Sequence, residues 1–157
     1  MIRRSRSTDL PWIRELASRS YDQLGDFAAS IVSWLDHPQI FAYIDETAER
    51  ERRGFFLLGF FDCPGHSRDD ELVADLISIA VAPEFRGLGV GRAMMEYAIA
   101  ATQAVGRRCA LREMRLTVAD DNAIGRQLYL SSGFAVRDEH YGSYPGGQRA
   151  IRMARPM

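Results

Sequence analysis

The chain has 157 residues, of which 46% are hydrophobic and 26% are charged, and its formal net charge is −1. These values are typical of one folded domain, residues 1–157, and exclude a general electrostatic attraction to nucleic acid. No apolar run is long enough to span a membrane, and no apolar signal core follows the N-terminus. The two cysteines are too few for a disulfide framework and lack metal-ligand spacing, so we expect no metal site and a reducing, cytoplasmic location.

The first third of the chain predicts a strand and two helices. Ile2 to Arg6 alternates and is expected to form the first strand. Thr8 or Asp9 can cap the first helix, since Pro11 follows within its first turn, where proline is tolerated. The second helix is expected from about Asp26, and His37-Pro38 ends it.

A hairpin and a turn cluster follow. Ile40 to Asp45 and Gly54 to Asp62 are rich in aromatic and branched residues and are expected to pair as strands. The charged run between them, E-T-A-E-R-E-R-R, is interpreted as a solvated hairpin tip. Cys63 to Asp70 has turn composition, and Glu71 to Val81 predicts the next strand.

A strand, a glycine-rich turn and a helix follow one another from Leu76 onward. Leu76 to Val81 is a short apolar run, and Pro83 ends it. The turn R-G-L-G-V-G then leads into apolar residues at helical spacing that continue to about Gly106. Because the first amides of a helix have no intrahelical acceptor and carry the positive end of its dipole, this turn is expected to bind a phosphate-like anion.

The last third predicts a strand, a helix and a terminal pair of strands. Met114 to Val118 is the strand, and nearby arginines are interpreted either as solvated surface or as contacts to a partner or an adenosine phosphate; they are Arg107, Arg108, Arg112 and Arg115. Asp120, Asp121 or Asn122 can cap the helix, and Gly133 is a natural terminator. Ala135 to Tyr141 and Arg149 to Ala154 are the last strands.

Two motifs carry a family resemblance. The glycine turn lacks the G-K-[ST] of a nucleotide-triphosphate loop, and Arg92 stands where a dinucleotide fingerprint needs its third glycine. It matches [QR]-x-x-G-x-[GA] after a strand that ends in V-x-P, and Asn122 to Phe134 matches N-x-x-[AI]-x-x-x-Y…G-F. Together these motifs resemble those of the GNAT superfamily of N-acetyltransferases.

The resemblance implies a fold and a cofactor. The implied fold is the α/β (α+β) acyl-CoA N-acyltransferase fold, with a mixed, mostly antiparallel central sheet and helices on both faces. The implied cofactor is acetyl-CoA, whose arm inserts where the strand before the glycine turn and the next strand splay apart. The residues implied to bind it are Ile79, Ala80, Val81, Arg86, Gly87, Leu88, Gly89, Val90, Gly91, Arg92 and Asn122.

The resemblance also suggests catalytic and acceptor residues. The hydroxyl of Tyr129 is implied to lie near the cofactor's sulfur, where it can stabilise or protonate a leaving thiolate. Asp75, at the start of the strand before V-x-P, is the leading candidate for the base that deprotonates the amine, through water. The implied acceptor-side residues are Tyr21, Asp22, Tyr141 and Tyr144.

The C-terminal pattern Y-P…A-I-x-M is similar to that of ribosomal-protein N-terminal alanine acetyltransferases. Those enzymes carry a base glutamate in an L-E-V strand, where this chain has Thr117, which cannot serve as that base. We therefore expect acetyl transfer to a primary amine of a small molecule or of a protein, with the acceptor left open. A non-catalytic acetyl-CoA-binding module is the alternative, a nucleotide-binding Rossmann domain is weaker, and a homodimer is possible.

Overall fold

The computed structural model describes residues 1–62 and 71–157, so the turn cluster expected over Cys63 to Asp70 lies outside the described residues. The strands are β1 Ile2–Arg4, β2 Ile40–Glu46, β3 Arg52–Asp62, β4 Leu72–Val81, β5 Leu111–Ala119, β6 Ala135–Ser143 and β7 Arg149–Pro156. The helices are α1 Leu10–Ser20, α2 Phe27–Trp34, α3 Val90–Gly106 and α4 Ala123–Ser131. No helix among these residues is long and apolar enough to cross a membrane.

The strands form one seven-stranded sheet in the order β1-β2-β3-β4-β5-β7-β6. Only β4 and β5 pair in parallel, and the other five neighbouring pairs are antiparallel. The parallel pair is possible because α3 carries the chain back between its strands, as parallel neighbours require. The expected mixed, mostly antiparallel sheet is therefore confirmed.

Each face of the sheet buries a separate apolar cluster. On one face, α1 and α2 pack Ile13, Leu16 and Ile31 against strand residues such as Phe55. On the other, α3 and α4 pack against the sheet, with Met94 completely buried. Neighbouring residues of a strand point to opposite faces, so β3 supplies both clusters and must be apolar almost throughout. Helices cover both faces, as the resemblance implied.

A bulge in β4 opens the centre of the sheet. Leu57 of β3 is opposite Ser78, but Leu58 is opposite Leu76, so Ile77 is an extra residue without a partner in β3. Pairing between β4 and β5 ends at the same place, with Leu76 opposite Leu116. The C-terminal halves of the two strands therefore diverge, and they leave a gap in the middle of the sheet.

The structure corrects two expectations near the N-terminus. Asp9 precedes α1, but its side chain makes no capping hydrogen bond to that helix. It is buried and instead accepts hydrogen bonds from Arg3 and Arg52, at 2.7 and 2.8 Å, which hold the pKa of its carboxyl far below its ordinary value. The charged run is not simply a solvated tip either, because Glu46 is buried against Arg3 at 2.8 Å. Sequence spacing gave no sign of this cluster, since Arg52 lies 43 residues from Asp9 and Glu46 lies 43 residues from Arg3.

Candidate active site

The glycine turn presents open backbone at the start of α3. Gly87 and Gly89 have φ of +74° and +83°, a conformation that favours glycine. A Cβ added at either position would meet no atom within 4 Å, so the space beside both residues is open. Ala93 is the first residue whose amide is bonded back to the turn, to the Gly89 carbonyl at 3.0 Å. The amides of Val90, Gly91 and Arg92 precede it and have no intrahelical acceptor.

Two arginines flank this turn. The Nε of Arg86 donates to the Val81 carbonyl at 3.1 Å and so ties the turn to the end of β4. Arg92 is exposed on the first turn of α3, and Leu88 is 71% exposed at the tip of the glycine turn. Positive charge and unpaired amides therefore lie together, as an anion-binding site requires.

The open half of β4 directs two backbone amides into the gap. The Ala82 amide donates to the Arg53 carbonyl at 2.8 Å, which makes this pair a hydrogen-bonded pair of the antiparallel ladder. Bonded and unbonded pairs alternate along such a ladder, so Ile79 and Val81 point away from β3. Ala80 belongs to the bonded set, and its backbone is used within the sheet.

The carbonyls of these residues are occupied by side chains of the chain itself. The Tyr21 hydroxyl contacts Ser78 Oγ at 2.7 Å and donates to the Ile79 carbonyl at 3.0 Å. Arg86 occupies the Val81 carbonyl in the same way. The gap therefore offers a ligand the N–H groups of Ile79 and Val81.

Tyr129 lines a cavity of about 80 Å³ within this gap. The residue is buried, and its hydroxyl makes no hydrogen bond to any of the described residues. Burial, together with the nearby phenols of Tyr21 and Tyr144, raises its pKa well above the ordinary value for tyrosine, so the hydroxyl keeps its proton at neutral pH. A buried, protonated phenol that faces a cavity can donate a hydrogen bond to a ligand there.

Asn122 lines the same cavity and is the N-cap residue of α4. Its Oδ1 accepts the amide of Gly125 at 2.9 Å, so the expected cap of this helix is confirmed and Asn122 is the residue that provides it. A Cβ at Gly125 would lie 2.6 Å from Asn122 Nδ2, so glycine there leaves room for the amide side chain.

A second cavity, of about 220 Å³, adjoins the first on the α1–α2 face of the sheet. Leu76, Ile77, Thr117, Phe27 and Tyr144 line both cavities. Tyr144 is held there because its loop is bonded to the turn before α2; the Gln148 side chain donates to the Gln23 carbonyl at 2.7 Å.

A charged pair lines the second cavity beside Thr117. Arg152 donates from Nη2 to Asp75 Oδ2 at 3.2 Å and from Nη1 to Thr117 Oγ1 at 3.0 Å. Its guanidinium also lies over the Tyr141 ring, 4.9 Å from the ring centre. Burial raises the pKa of Asp75, and the positive charges of Arg152 and Arg115 oppose this effect. Asp75 is thus a carboxylate with a raised pKa, beside Thr117 and next to the gap.

Most of the predicted catalytic and acceptor residues lie at the two cavities, and others lie outside them. Tyr21, Tyr144, Tyr129, Asn122 and Ile79 come together around the first cavity, and Asp75 lies in the second. Asp22 is exposed and lines neither cavity, while Tyr141 reaches the second cavity only through its contact with Arg152.

The arginine cluster is distant from the glycine turn. Arg107 follows the C-terminal end of α3, whereas the glycines precede its N-terminal end. A helix of 17 residues is about 25 Å long. Arg107 therefore does not contribute to the glycine turn, and the interpretation of the cluster as contacts to a partner or an adenosine phosphate stays a prediction. Arg115 is instead paired with Glu113, at 2.6 Å.

Sequence reasoning missed most of the residues that shape the second cavity, namely Phe27, Trp34, Phe61 and Arg152. Arg152 had a signal, because it alternates with Ile151 and Met153 in β7 and must point to the opposite face. The aromatic residues had none, because their spacing is equally typical of core positions.

These features fit acetyl-CoA. The glycine turn and the start of α3 would hold its diphosphate, and the N–H groups in the gap would hold the amide-containing arm. Tyr129 has a proton to offer at the thioester end. The open space beside Gly87 and Gly89, where an added Cβ would meet no atom within 4 Å, leaves room for this diphosphate.

Comparisons with known proteins find similar acetyltransferases. Residues 4–134 match the model of the acetyltransferase (GNAT) family. The curated [ribosomal protein bS18]-alanine N-acetyltransferase of Escherichia coli is 34% identical over 87 residues, which are 54% of this chain and 56% of that protein. The matched segment thus spans about half the length of that relative.

Solved structures share the fold. A variant of the spermidine N-acetyltransferase SpeG from Vibrio cholerae superposes with a TM-score of 0.73 at 20% identity, over 99% of this chain and 92% of that one. Arabidopsis thaliana NAA60 in complex with a bisubstrate analogue gives 0.77 at 13% identity, over 100% and 98%. The family match supports acetyl-CoA as the donor and an amine as the acceptor. The chain belongs to the GNAT family of acetyltransferases.

Proposed function

We propose that residues 1–157 form a single N-acetyltransferase domain that transfers an acetyl group directly from acetyl-CoA to a primary amine of a small molecule or a protein. The observation that carries the proposal is the gap between β4 and β5, with the buried Tyr129 hydroxyl facing it. When bound, acetyl-CoA supplies an acetyl thioester, from which the amine takes the acetyl group as coenzyme A leaves with its thiol.

Two groups of the chain act on the thioester, namely the Ile79 amide and the Tyr129 hydroxyl. The Ile79 amide, directed into the gap, is placed to polarise a thioester carbonyl, as an oxyanion-hole donor does. Tyr129 can donate a hydrogen bond to the departing sulfur and stabilise its negative charge, since the raised pKa keeps the phenol protonated.

Asp75 is the proposed base. An amine acceptor has a pKa of about 8 to 10 and is mostly protonated at neutral pH, so a proton must be removed before attack. The raised pKa of Asp75 makes its carboxylate a better proton acceptor than an exposed aspartate, and water can carry the proton to it. At the position where the similar alanine acetyltransferases carry a base glutamate, this chain has Thr117, whose hydroxyl accepts a hydrogen bond from Arg152. The carboxylate is thus supplied from the neighbouring strand.

A screen of primary amines with acetyl-CoA, read by thiol release, tests the proposal. We expect release that depends on both the amine and the protein, and saturable acetyl-CoA binding by calorimetry. The second candidate, a non-catalytic acetyl-CoA-binding module, is favoured only by the threonine at position 117. Binding without turnover on any amine would support that candidate, and absence of binding would contradict both.

The family resemblance also leads us to propose a homodimer and a cytoplasmic location. Sedimentation equilibrium measures the first. Fractionation of cells that produce the protein measures the second.

A further inference from the structure

Four aromatic residues line the second cavity. Phe27, Trp34, Phe61 and Tyr144 are all half-buried and surround it together with Ile77. The Trp34 and Phe61 rings are 6.2 Å apart between centres, and those of Phe27 and Tyr144 are 5.1 Å apart. Half-buried rings around a cavity leave apolar surface for a ligand to cover.

The strand register gives this cavity a direction. Ile77 and Thr117 lie at the gap, next to the cavity that contains Tyr129. Phe61 is opposite Val73, four residues back along β4 from Ile77, so the rings of Phe61 and Trp34 lie at the end remote from the gap. An amine whose nitrogen is near the gap would therefore extend its carbon chain toward these two rings.

The lining of the second cavity carries little net charge. Asp75 is the one carboxylate among the described residues that line it, and it is paired with Arg152 at 3.2 Å. A second ammonium on the acceptor would find no unpaired carboxylate there, and Arg152 would repel it. An uncharged tail meets no such cost.

We infer that the acceptor is a primary amine whose carbon chain ends in an uncharged apolar group about the size of one ring, and that Trp34 and Phe61 select it. The inference rests on the proposed function. The size follows from the volume, since the cavity has about 220 Å³ and a cavity of about 150 Å³ in another protein binds benzene. A small arylalkylamine has these properties, whereas a polyamine lacks the uncharged tail.

Competition among amines tests the inference. For 2-phenylethylamine we expect a kcat/KM at least about 10-fold above those of ethylamine and spermidine, because only the ring covers the aromatic surface. The Trp34→Ala variant should lose most of this advantage, so that its kcat/KM for 2-phenylethylamine falls to within a few-fold of its kcat/KM for ethylamine. Trp12→Ala is the matched control, since Trp12 packs on the same core cluster but lines neither cavity. Preference for spermidine or for a peptide with N-terminal alanine, unaffected by Trp34→Ala, would overturn the inference and leave the proposed function standing.

A binding measurement separates the two proposals. The chain has two tryptophans, so Trp12→Phe leaves Trp34 as the single tryptophan emitter. We expect 2-phenylethylamine to change its emission saturably and ethylamine to leave it unchanged, whether or not turnover follows. An unchanged emission with 2-phenylethylamine would contradict the assignment of the cavity. Absence of thiol release with every amine would contradict the proposed function alone.

Discussion

At the scale of single residues, the site is notable for where its carboxylate comes from. On β5, this chain has Thr117 where similar alanine acetyltransferases carry a base glutamate. Asp75 offers a carboxylate from the adjacent strand β4, on the same face of the sheet. Arg152 binds both residues and fixes their relative position. The acid–base properties of Asp75 should therefore depend on Arg152.

The Arg152→Met variant tests this dependence. Because the Arg152 charge lowers the pKa of Asp75 against the effect of burial, its removal should raise that pKa further. A base must be deprotonated to act, so the acidic limb of the kcat/KM profile should move to higher pH, while the affinity for acetyl-CoA stays unchanged. Arg14→Met, on the exposed side of α1, serves as the control. An acidic limb that does not move would show that Asp75 is not the base.

At the scale of elements, the glycine turn and the β4 bulge shape the proposed cofactor site. The turn frees amides at the start of α3, and the bulge at Ile77 separates β4 from β5. Neither feature depends on a particular catalytic side chain. Cofactor binding should therefore respond to changes in backbone shape at the turn.

Gly89→Ala tests the turn. The φ of +83° costs an alanine about 1–2 kcal/mol of backbone strain, but its methyl group would meet no protein atom within 4 Å. Any added group should instead occupy space needed by the diphosphate, so we expect acetyl-CoA affinity to fall by at least about 10-fold, measured by calorimetry. Gly147→Ala is matched in strain and openness, with φ of +95° and nothing within 4 Å, and should bind acetyl-CoA normally. Equal losses in both variants would mean that strain alone is responsible.

At the scale of the whole molecule, a buried ionic cluster fastens the N-terminal segment to the β2–β3 hairpin. Asp9 binds Arg3 and Arg52, and Arg3 also binds Glu46. Removing one charge leaves its partners buried without compensation, which is more costly than losing a surface pair. The cluster should therefore contribute to global stability without affecting the site.

Asp9→Asn should lower the free energy of unfolding by about 3 kcal/mol and the Tm by about 10 °C, measured by thermal denaturation at pH 7. The pKa of Asp9 is depressed, so its stabilisation is complete above the ordinary value of 3.8 and is lost as the pH falls through the folded-state value. The difference from the unmodified protein should thus persist down to about pH 4. Asp36→Asn changes an exposed aspartate and should leave the Tm unaltered.

Local signals predicted the parts of the fold and site that are encoded locally. The strand, glycine turn and helix from Leu76 to Gly106, and the cap at Asn122, depend on residues close together in sequence, and the structure has them. The Asp9 cluster and the Asp75–Arg152 pair join residues up to 77 positions apart, which no periodicity reveals. The ring-lined cavity was missed for the same reason, since Trp34 and Phe61 meet only after the sheet forms.

The measurement that tests the central claim most directly is the rate of thiol release by Tyr129→Phe beside its affinity for acetyl-CoA. Removing the hydroxyl leaves the buried ring in place, so acetyl-CoA should bind as before by calorimetry. The loss of its hydrogen bond should lower kcat by about 10²-fold or more on an amine that the unmodified protein acetylates. A Tyr129→Phe variant that releases thiol at the full rate would contradict the role assigned to the gap between β4 and β5.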